Sequence, residues 1–228
     1  MSLQLGNRLL SAASFVRQDA YLADIGTDHA YLPIFLLDCG RINRAVCSDI
    51  NPGPLSVARK NVAEAGYLPS VDFLLSDGAA ALGCRGITDY AICGMGGELI
   101  ANIIEHAPHL FEKGIRLILQ PMTRQAYLRR YLAERGFVTV GEGYSAEGGK
   151  NYLALAVEYG GVSRKISDFE AEFGIISDGE SLSAEKRGYF EGKLSALKKA
   201  LGGKRAGGED FVYEAALISE YEERTRER

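Results

Sequence analysis

Apolar runs that end in glycine or an acid alternate with amphipathic stretches over the first two thirds of this chain. That alternation predicts an α/β protein built on a mostly parallel sheet. Runs such as Leu117-Ile118-Leu119 are continuously apolar, which suits strands covered by helices on both faces. The last two strand-like runs are joined only by a turn at Gly148-Gly149, so the last strand of a seven-stranded sheet is antiparallel. After Gly160-Gly161 the strand signal stops, and residues 161–228 read as a small helical hairpin domain appended to a domain at 1–160.

Each element has its own signature. Leu5, Leu9 and Ala12 or Ala13 repeat at helical spacing, which predicts an opening helix over 2–19. The strands are expected at 21–26, 45–50, 71–75, 90–93, 115–120, 137–144 and 151–159. Helices are expected between them at 31–39, 55–65, 98–107 and 127–135, and Gly40, Gly66 and Gly136 close three of these. In the C-terminal part, Phe190, Leu194, Leu197 and Leu201 mark one helix over 184–201. Gly202-Gly203 and Gly207-Gly208 are read as breaks, and 211–226 as a second helix.

The composition narrows the function classes. Of the 228 residues, 46% are hydrophobic and 25% charged, as in ordinary globular proteins. No apolar run approaches ~18 residues, so no membrane span is expected. The first residues lack a basic segment followed by an apolar core and cleavage site, so no signal peptide is read and a cytoplasmic protein is expected. The cysteines Cys39, Cys47, Cys84 and Cys93 show no C-x-x-C spacing and read as reduced, buried thiols. The three histidines lack metal-ligand spacing, and no metal is expected. No obligate protein partner is indicated.

Ligands of open α/β sheets sit at the carboxyl ends of the strands. Here those ends carry Asp24-Ile25-Gly26-Thr27-Asp28-His29, Asp49 with Ile50, Asp77-Gly78, Gly94-Met95-Gly96-Gly97 and Gln120-Pro121. Gly26 allows a sharp turn and a close ligand approach. Asp49 is placed to accept the ribose hydroxyls of an adenosine. Asp77 can accept from the adenine amino group while the backbone N–H of Gly78 donates to the ring. A dinucleotide would need G-x-G-x-x-G to seat its pyrophosphate. Here the second glycine position is Asp28 and the third is Tyr31. An acid there repels phosphate and attracts an ammonium. The pattern thus favours an adenosine-containing zwitterion without phosphate. Asp24, Gly26, Asp28, His29, Tyr31, Asp49, Ile50, Asp77, Gly78 and Gly94 are the candidate cofactor contacts. Asp28 and His29 can equally cap the following helix.

These segments, together with Gln120-Pro121-Met122 and the helical C-terminus, resemble the bacterial tRNA adenine-N1 methyltransferases of the TrmK family over nearly the whole chain. The resemblance rests most on Ala23-Asp24-Ile25-Gly26-Thr27-Asp28-His29-Ala30-Tyr31-Leu32-Pro33 and on Ile92-Cys93-Gly94-Met95-Gly96-Gly97. Serine would be expected where Thr27 stands. It implies a Rossmann-like class I methyltransferase domain with S-adenosyl-L-methionine as cofactor, a coiled-coil-like C-terminal domain, and adenine 22 of tRNA as target.

On that reading His29, Gly94, Met95, Gly96 and Gly97 are the candidate catalytic residues. Backbone carbonyls around Gly94–Gly97 would stabilise charge developing on the adenine, and Met95 would form an apolar wall. Adenine N1 carries a free lone pair, so no dedicated base is required. N1 lies on the Watson–Crick edge, so the base must be flipped out or presented unpaired. Tyr144 and Tyr152 are candidates to clamp it. The net charge of −4 hides a basic segment at 183–206, with seven cations against two acids. Arg124, Arg129, Arg130 and Arg135 form a second basic group. Arg124, Arg129, Lys198 and Lys199 are the candidate tRNA contacts. Methylation of another RNA or DNA base, or cofactor-dependent RNA binding without catalysis, stays open at this point.

Overall fold

The computed structural model describes residues 4–83, 85–176 and 182–226. The chain forms α1 (Asn7–Ala13), β1 (Ala20–Ile25), α2 (Tyr31–Asp38), β2 (Ile42–Asp49), α3 (Pro52–Glu64), β3 (Val71–Leu75), β4 (Asp89–Gly96) and α4 (Gly97–Glu105). It continues through β5 (Arg116–Thr123), α5 (Gln125–Glu134), β6 (Phe137–Glu147), β7 (Lys150–Tyr159), α6 (Asp168–Phe173), α7 (Ala184–Gly207) and α8 (Val212–Arg226).

The seven strands lie in the order β3-β2-β1-β4-β5-β7-β6. The first five run parallel, and β7 pairs antiparallel with both β5 and β6. The fold is therefore the Rossmann-like methyltransferase arrangement, with C-terminal helices added. Alternate residues of β1 show why the sheet is apolar throughout. Tyr21, Ala23 and Ile25 enter the core under α4–α8, while Ala20 and Leu22 enter the core under α1–α3. The chain reverses direction across the sheet between β1 and β4, and this opens a crevice at their carboxyl ends.

Four local expectations are corrected. The opening helix is short, Asn7–Ala13, because the chain turns at Ser14 to reach β1. Cys39 is exposed at the end of α2 rather than buried. Gly202-Gly203 do not break α7, which runs to Gly207 and ends at the left-handed Gly208. Lys204 pairs with Glu214 of α8 at 2.9 Å, and this helps hold the last turn. Finally, α6 is an element the sequence reading lacks. Its signature is Ser167, whose hydroxyl accepts the backbone N–H of Glu170 and caps the helix.

The C-terminal helices are not a detached unit. Phe169, Phe173, Tyr189, Phe190, Leu217 and Tyr221 belong to the same apolar core as Leu117, Leu119, Leu153 and Leu155 of the sheet. Among the described residues no helix is long and apolar enough to cross a membrane.

Candidate active site

The loop after β1 is shaped by backbone conformations that few side chains accept. Gly26 has φ +68°, and a β-carbon there would collide with Cε of Met95. Asp28 and Ala30 also sit in the left-handed region, at φ 48° and 56°. The backbone N–H groups of Gly26 and Thr27 donate to the Ser48 carbonyl, which ties this loop to the end of β2. The rings of His29 and Tyr31 stack with centroids 5.0 Å apart. Asp28 reaches the His29 ring at 3.4 Å, and both side chains are largely exposed.

The crevice has two lobes that share Gly26, Asp49 and Met95. The larger, ≈ 670 Å³, lies beyond β2 and β3 and is walled by Ile50, Leu99, Ile103 and Met95, with Asp77 and Gly78 at its edge. Asp49 is nearly buried, and its Oδ1 accepts the Asn51 backbone N–H at 2.9 Å. The smaller lobe, ≈ 520 Å³, is polar and lies between the loop after β1 and the end of β4. Asp24, Asp28, His29, Tyr31 and Gly94 line it, with Arg8 at its margin.

Asp24 is the electrostatic anomaly. Its side chain is buried, and its pKa is pushed up from 3.8 to about 6. Burial is the largest cause, Asp49 adds to it, and the hydroxyl of Thr27, donating at 2.5 Å, opposes it. Among the described residues no cation pairs with this carboxylate. A buried carboxylate with one hydroxyl partner is a poor structural choice and a good receptor for an amine cation. An adenosine-bearing zwitterion therefore fits these residues: an apolar lobe with acids at its edge, and a polar lobe with an uncompensated carboxylate. Nearby, burial raises the thiol pKa of Cys93 well above its ordinary value, so this cysteine is a neutral group beside the crevice.

At the end of β4, Gly94 has φ +78°, and its N–H donates to Oε1 of the fully buried Gln120 at 3.1 Å. The same oxygen accepts Nη1 of Arg8 at 2.6 Å. Met95 lines both lobes, but Gly96 and Gly97 line neither. A β-carbon on Gly97 would meet the Arg124 carbonyl oxygen at 2.5 Å, so close packing of α4 on β5 explains this glycine. The expectation that Gly97 acts on the substrate is corrected accordingly.

The other candidates scatter. Arg124 is exposed, left-handed, and paired with Glu98 at 2.8 Å beside the end of β4. Arg129 is buried, held by Glu142 at 3.0 Å and by the carbonyl of Ala171, so it cannot reach an RNA phosphate. That expectation is corrected. Arg130 and Arg135 pair with Asp168 and Glu105. Lys198 pairs with Glu222 at 3.2 Å, while Lys199 is exposed. Tyr144 bonds Glu142 and packs against Tyr189 and Phe190 under α7, so it cannot clamp a base at the crevice. Tyr152 lies under the Arg8 guanidinium, 6.0 Å from it. The sequence reading did not single out Arg8, Leu99 or Ile103, which reach the crevice from α1 and α4. Amphipathic spacing places such residues on a helix face but does not say which face end meets a ligand.

A family model described as a methyltransferase domain matches residues 5–155. The tRNA (adenine(22)-N(1))-methyltransferase of Bacillus subtilis (strain 168) is 30% identical over 188 residues, covering 82% of this chain and 79% of that protein. Streptococcus pneumoniae Sp1610, solved in complex with S-adenosyl-L-methionine, is 34% identical with a TM-score of 0.80, covering 94% of this chain and 100% of that one. M. capricolum TrmK, solved with S-adenosyl-homocysteine, is 26% identical with a TM-score of 0.80, covering 97% of this chain and 99% of that one. With the strand order, the two-lobed crevice and the uncompensated Asp24 agreeing with these likenesses, the chain belongs to the methyltransferase-domain family and, within it, to the TrmK tRNA (adenine(22)-N(1))-methyltransferases.

Proposed function

We propose that this chain transfers a methyl group from S-adenosyl-L-methionine to N1 of an adenine in tRNA, at position 22 as in its named relatives. The observation that carries the cofactor half is the pairing of an apolar lobe with a polar lobe that contains a buried, unpaired carboxylate. Family membership supports the target. When bound, S-adenosyl-L-methionine supplies an electrophilic methyl group on a sulfonium. Asp49 has an oxygen left to accept ribose hydroxyls, because only Oδ1 is engaged by Asn51. Asp77 and the N–H of Gly78 face the adenine, and Ile50, Leu99 and Ile103 bury it. Asp24 and Asp28 attract the ammonium, and His29 and Tyr31 close that lobe as a stacked pair.

The target base needs positioning rather than deprotonation, since adenine N1 is unprotonated at neutral pH. Alignment of nucleophile, methyl carbon and sulfur supplies much of the rate. Gly94 and Met95, at the end of β4, line the crevice and are placed to bound that approach. Gln120 pins this strand end through the Gly94 N–H. No residue is assigned as a general base.

We assign residues 161–228 as a tRNA-contacting unit, with Lys199 as an exposed cation and Lys198 available once it leaves Glu222. Arg124, beside the end of β4, extends this basic path across the crevice. The setting inferred for this activity is the cytoplasm. The test is incubation of total bacterial tRNA with the protein and cofactor, followed by nucleoside mass spectrometry. 1-Methyladenosine is expected. N6-methyladenosine, methylation of rRNA alone, or RNA binding without methylation would each replace this reading.

A further inference from the structure

The target adenine needs a seat beside the cofactor, and the rim of the crevice above β4 and β5 carries soft groups suited to a flat base. Gly94 is exposed at this rim. Met122 and Tyr152 reach the same place from β5 and β7. The strand register explains why they meet. Leu119 of β5 faces Leu155 of β7 in an antiparallel pair, so Met122 and Tyr152 each lie three residues further toward the crevice. Leu119 and Leu155 enter the core under α4–α8, and an odd step along each strand turns Met122 and Tyr152 to the face that α1 covers. One buried amide holds the group together. The oxygen of Gln120 accepts the Gly94 N–H at 3.1 Å and Arg8 Nη1 at 2.6 Å, and its nitrogen donates to Met122 Sδ at 3.7 Å. The Arg8 guanidinium in turn lies over the Tyr152 ring. Arg8 is fixed from behind as well. Its backbone N–H donates to Glu147 Oε2 at 3.0 Å, and the side chain of Asn7 donates to the Ala146 carbonyl at 3.0 Å. These two bonds tie the β6–β7 hairpin to the first turn of α1, a helix whose own N-cap is Gly6 and offers no side chain.

Met122 is 39% exposed and Tyr152 is partly exposed. Neither lines the two lobes that fit the cofactor. An aromatic ring and a thioether, braced beside an open glycine, suit a second flat ligand next to those lobes. We propose that the target adenine is received on Gly94 against the ring of Tyr152 and the thioether of Met122. The proposal rests on the methyltransferase reading and names the base contacts of that reaction. In the transfer the N1 lone pair forms the new bond to the methyl carbon, the carbon–sulfur pair stays on sulfur, and the positive charge passes to the adenine ring. The π face of Tyr152 and the polarizable sulfur of Met122 favour a ring that gains positive charge. Neither residue gives or takes a proton.

The experiment measures three quantities on the full chain: methyl transfer to a tRNA transcript at saturating substrates, tRNA affinity by filter binding, and S-adenosyl-L-methionine affinity by isothermal titration calorimetry. The proteins are wild type, Tyr152→Ala, Tyr152→Phe and Met122→Ala. Tyr152→Ala should lower kcat about 5- to 100-fold, the scale of one base–aromatic stack, with both affinities within about twofold of wild type. tRNA affinity is spared because phosphate contacts supply most of it. Tyr152→Phe keeps the ring and should recover most of the lost kcat. Met122→Ala should lower kcat about 2- to 10-fold, the scale of a sulfur–aromatic contact. Met122 is exposed, so this variant tests the seat even where Tyr152→Ala fails to fold. An unchanged kcat in either alanine variant overturns the proposal. A loss of cofactor affinity that matches the loss of kcat also overturns it, by placing these side chains on the cofactor. A loss in Tyr152→Phe equal to that in Tyr152→Ala overturns it too, since the hydroxyl and not the ring face would then be responsible. Weakened tRNA binding with kcat kept would assign Tyr152 to RNA outside the target base. A wild-type protein that makes no 1-methyladenosine overturns the methyltransferase reading itself, which is a different failure.

Discussion

Asp24 costs the cofactor-free protein stability when ionised, and under the proposed function that cost is recovered on ligand binding. A carboxyl group whose pKa rises from 3.8 unfolded to about 6 folded prefers its neutral form in the fold. The associated stability is complete below pH ~4 and is lost as pH rises through about 6, by about 3 kcal/mol. Asp24→Asn removes the ionisation. Its cofactor-free melting temperature should exceed that of wild type at pH 7.5, and the gap should close near pH 4. Its affinity for S-adenosyl-L-methionine should fall at least about tenfold, since an ion pair to the ammonium is lost. Wild-type affinity should strengthen as pH rises through about 6. A variant less stable than wild type at pH 7.5, or one with unaltered affinity, contradicts this account. Gly26 is a second case. Gly26→Ala places a β-carbon against Met95 at a positive φ, which costs about 1–3 kcal/mol in backbone strain alone. Met95→Ala in the same chain should recover some stability by removing the collision, as measured by urea denaturation. No recovery would mean that strain, and not crowding, dominates. At this scale the positions of Asp49, Asp77 and Gly26 were legible because each stands at the end of an apolar run. Gln120 was legible only as a strand end. Its side-chain partner Arg8 lies 112 residues away in sequence, and no local pattern carries that contact.

Between elements, the polar contacts beneath the C-terminal helices do the joining. Arg129 of α5 pairs with Glu142 of β6 and reaches the carbonyls of Ala171 and Glu172 at the end of α6. Lys193 of α7 pairs with Glu172 at 2.8 Å. Arg129→Met strands a buried carboxylate and should destabilise by about 3–5 kcal/mol, whereas Arg129→Met with Glu142→Gln should cost much less. Equal losses in guanidinium denaturation would show that packing, and not the stranded charge, is responsible. The basic character of α7 read from sequence is partly spent inside the hairpin, on Glu222 and Glu214 of α8. Lys199→Glu should therefore weaken tRNA binding and lower its salt dependence, with cofactor affinity unchanged. Unchanged tRNA binding would move the RNA surface off α7. Gly202-Gly203 misled the sequence reading because glycine lowers helix propensity by only about 1 kcal/mol, and tertiary contacts with α8 overrule that.

Across the whole molecule, strand and helix order was readable from period and punctuation. Spatial order was not, because nothing local places β1 beside β4 or slots β7 between β5 and β6. The division at residue 160 was drawn from a change in composition. The core, however, runs without interruption from Leu117 and Leu155 to Phe190 and Tyr221. Thermal unfolding followed by calorimetry and near-ultraviolet circular dichroism should show one coincident transition, and two separated transitions would mean that the C-terminal helices fold on their own. That continuity holds the α7 surface and the crevice at β1 and β4 in one folded unit. The most direct measurement is methyl transfer to a single tRNA transcript, mapped by nuclease digestion and mass spectrometry, alongside the same transcript with guanine at position 22. The account predicts 1-methyladenosine at position 22 in the first and no methylation of the second. Methylation of both transcripts to the same extent, or of neither, would contradict it.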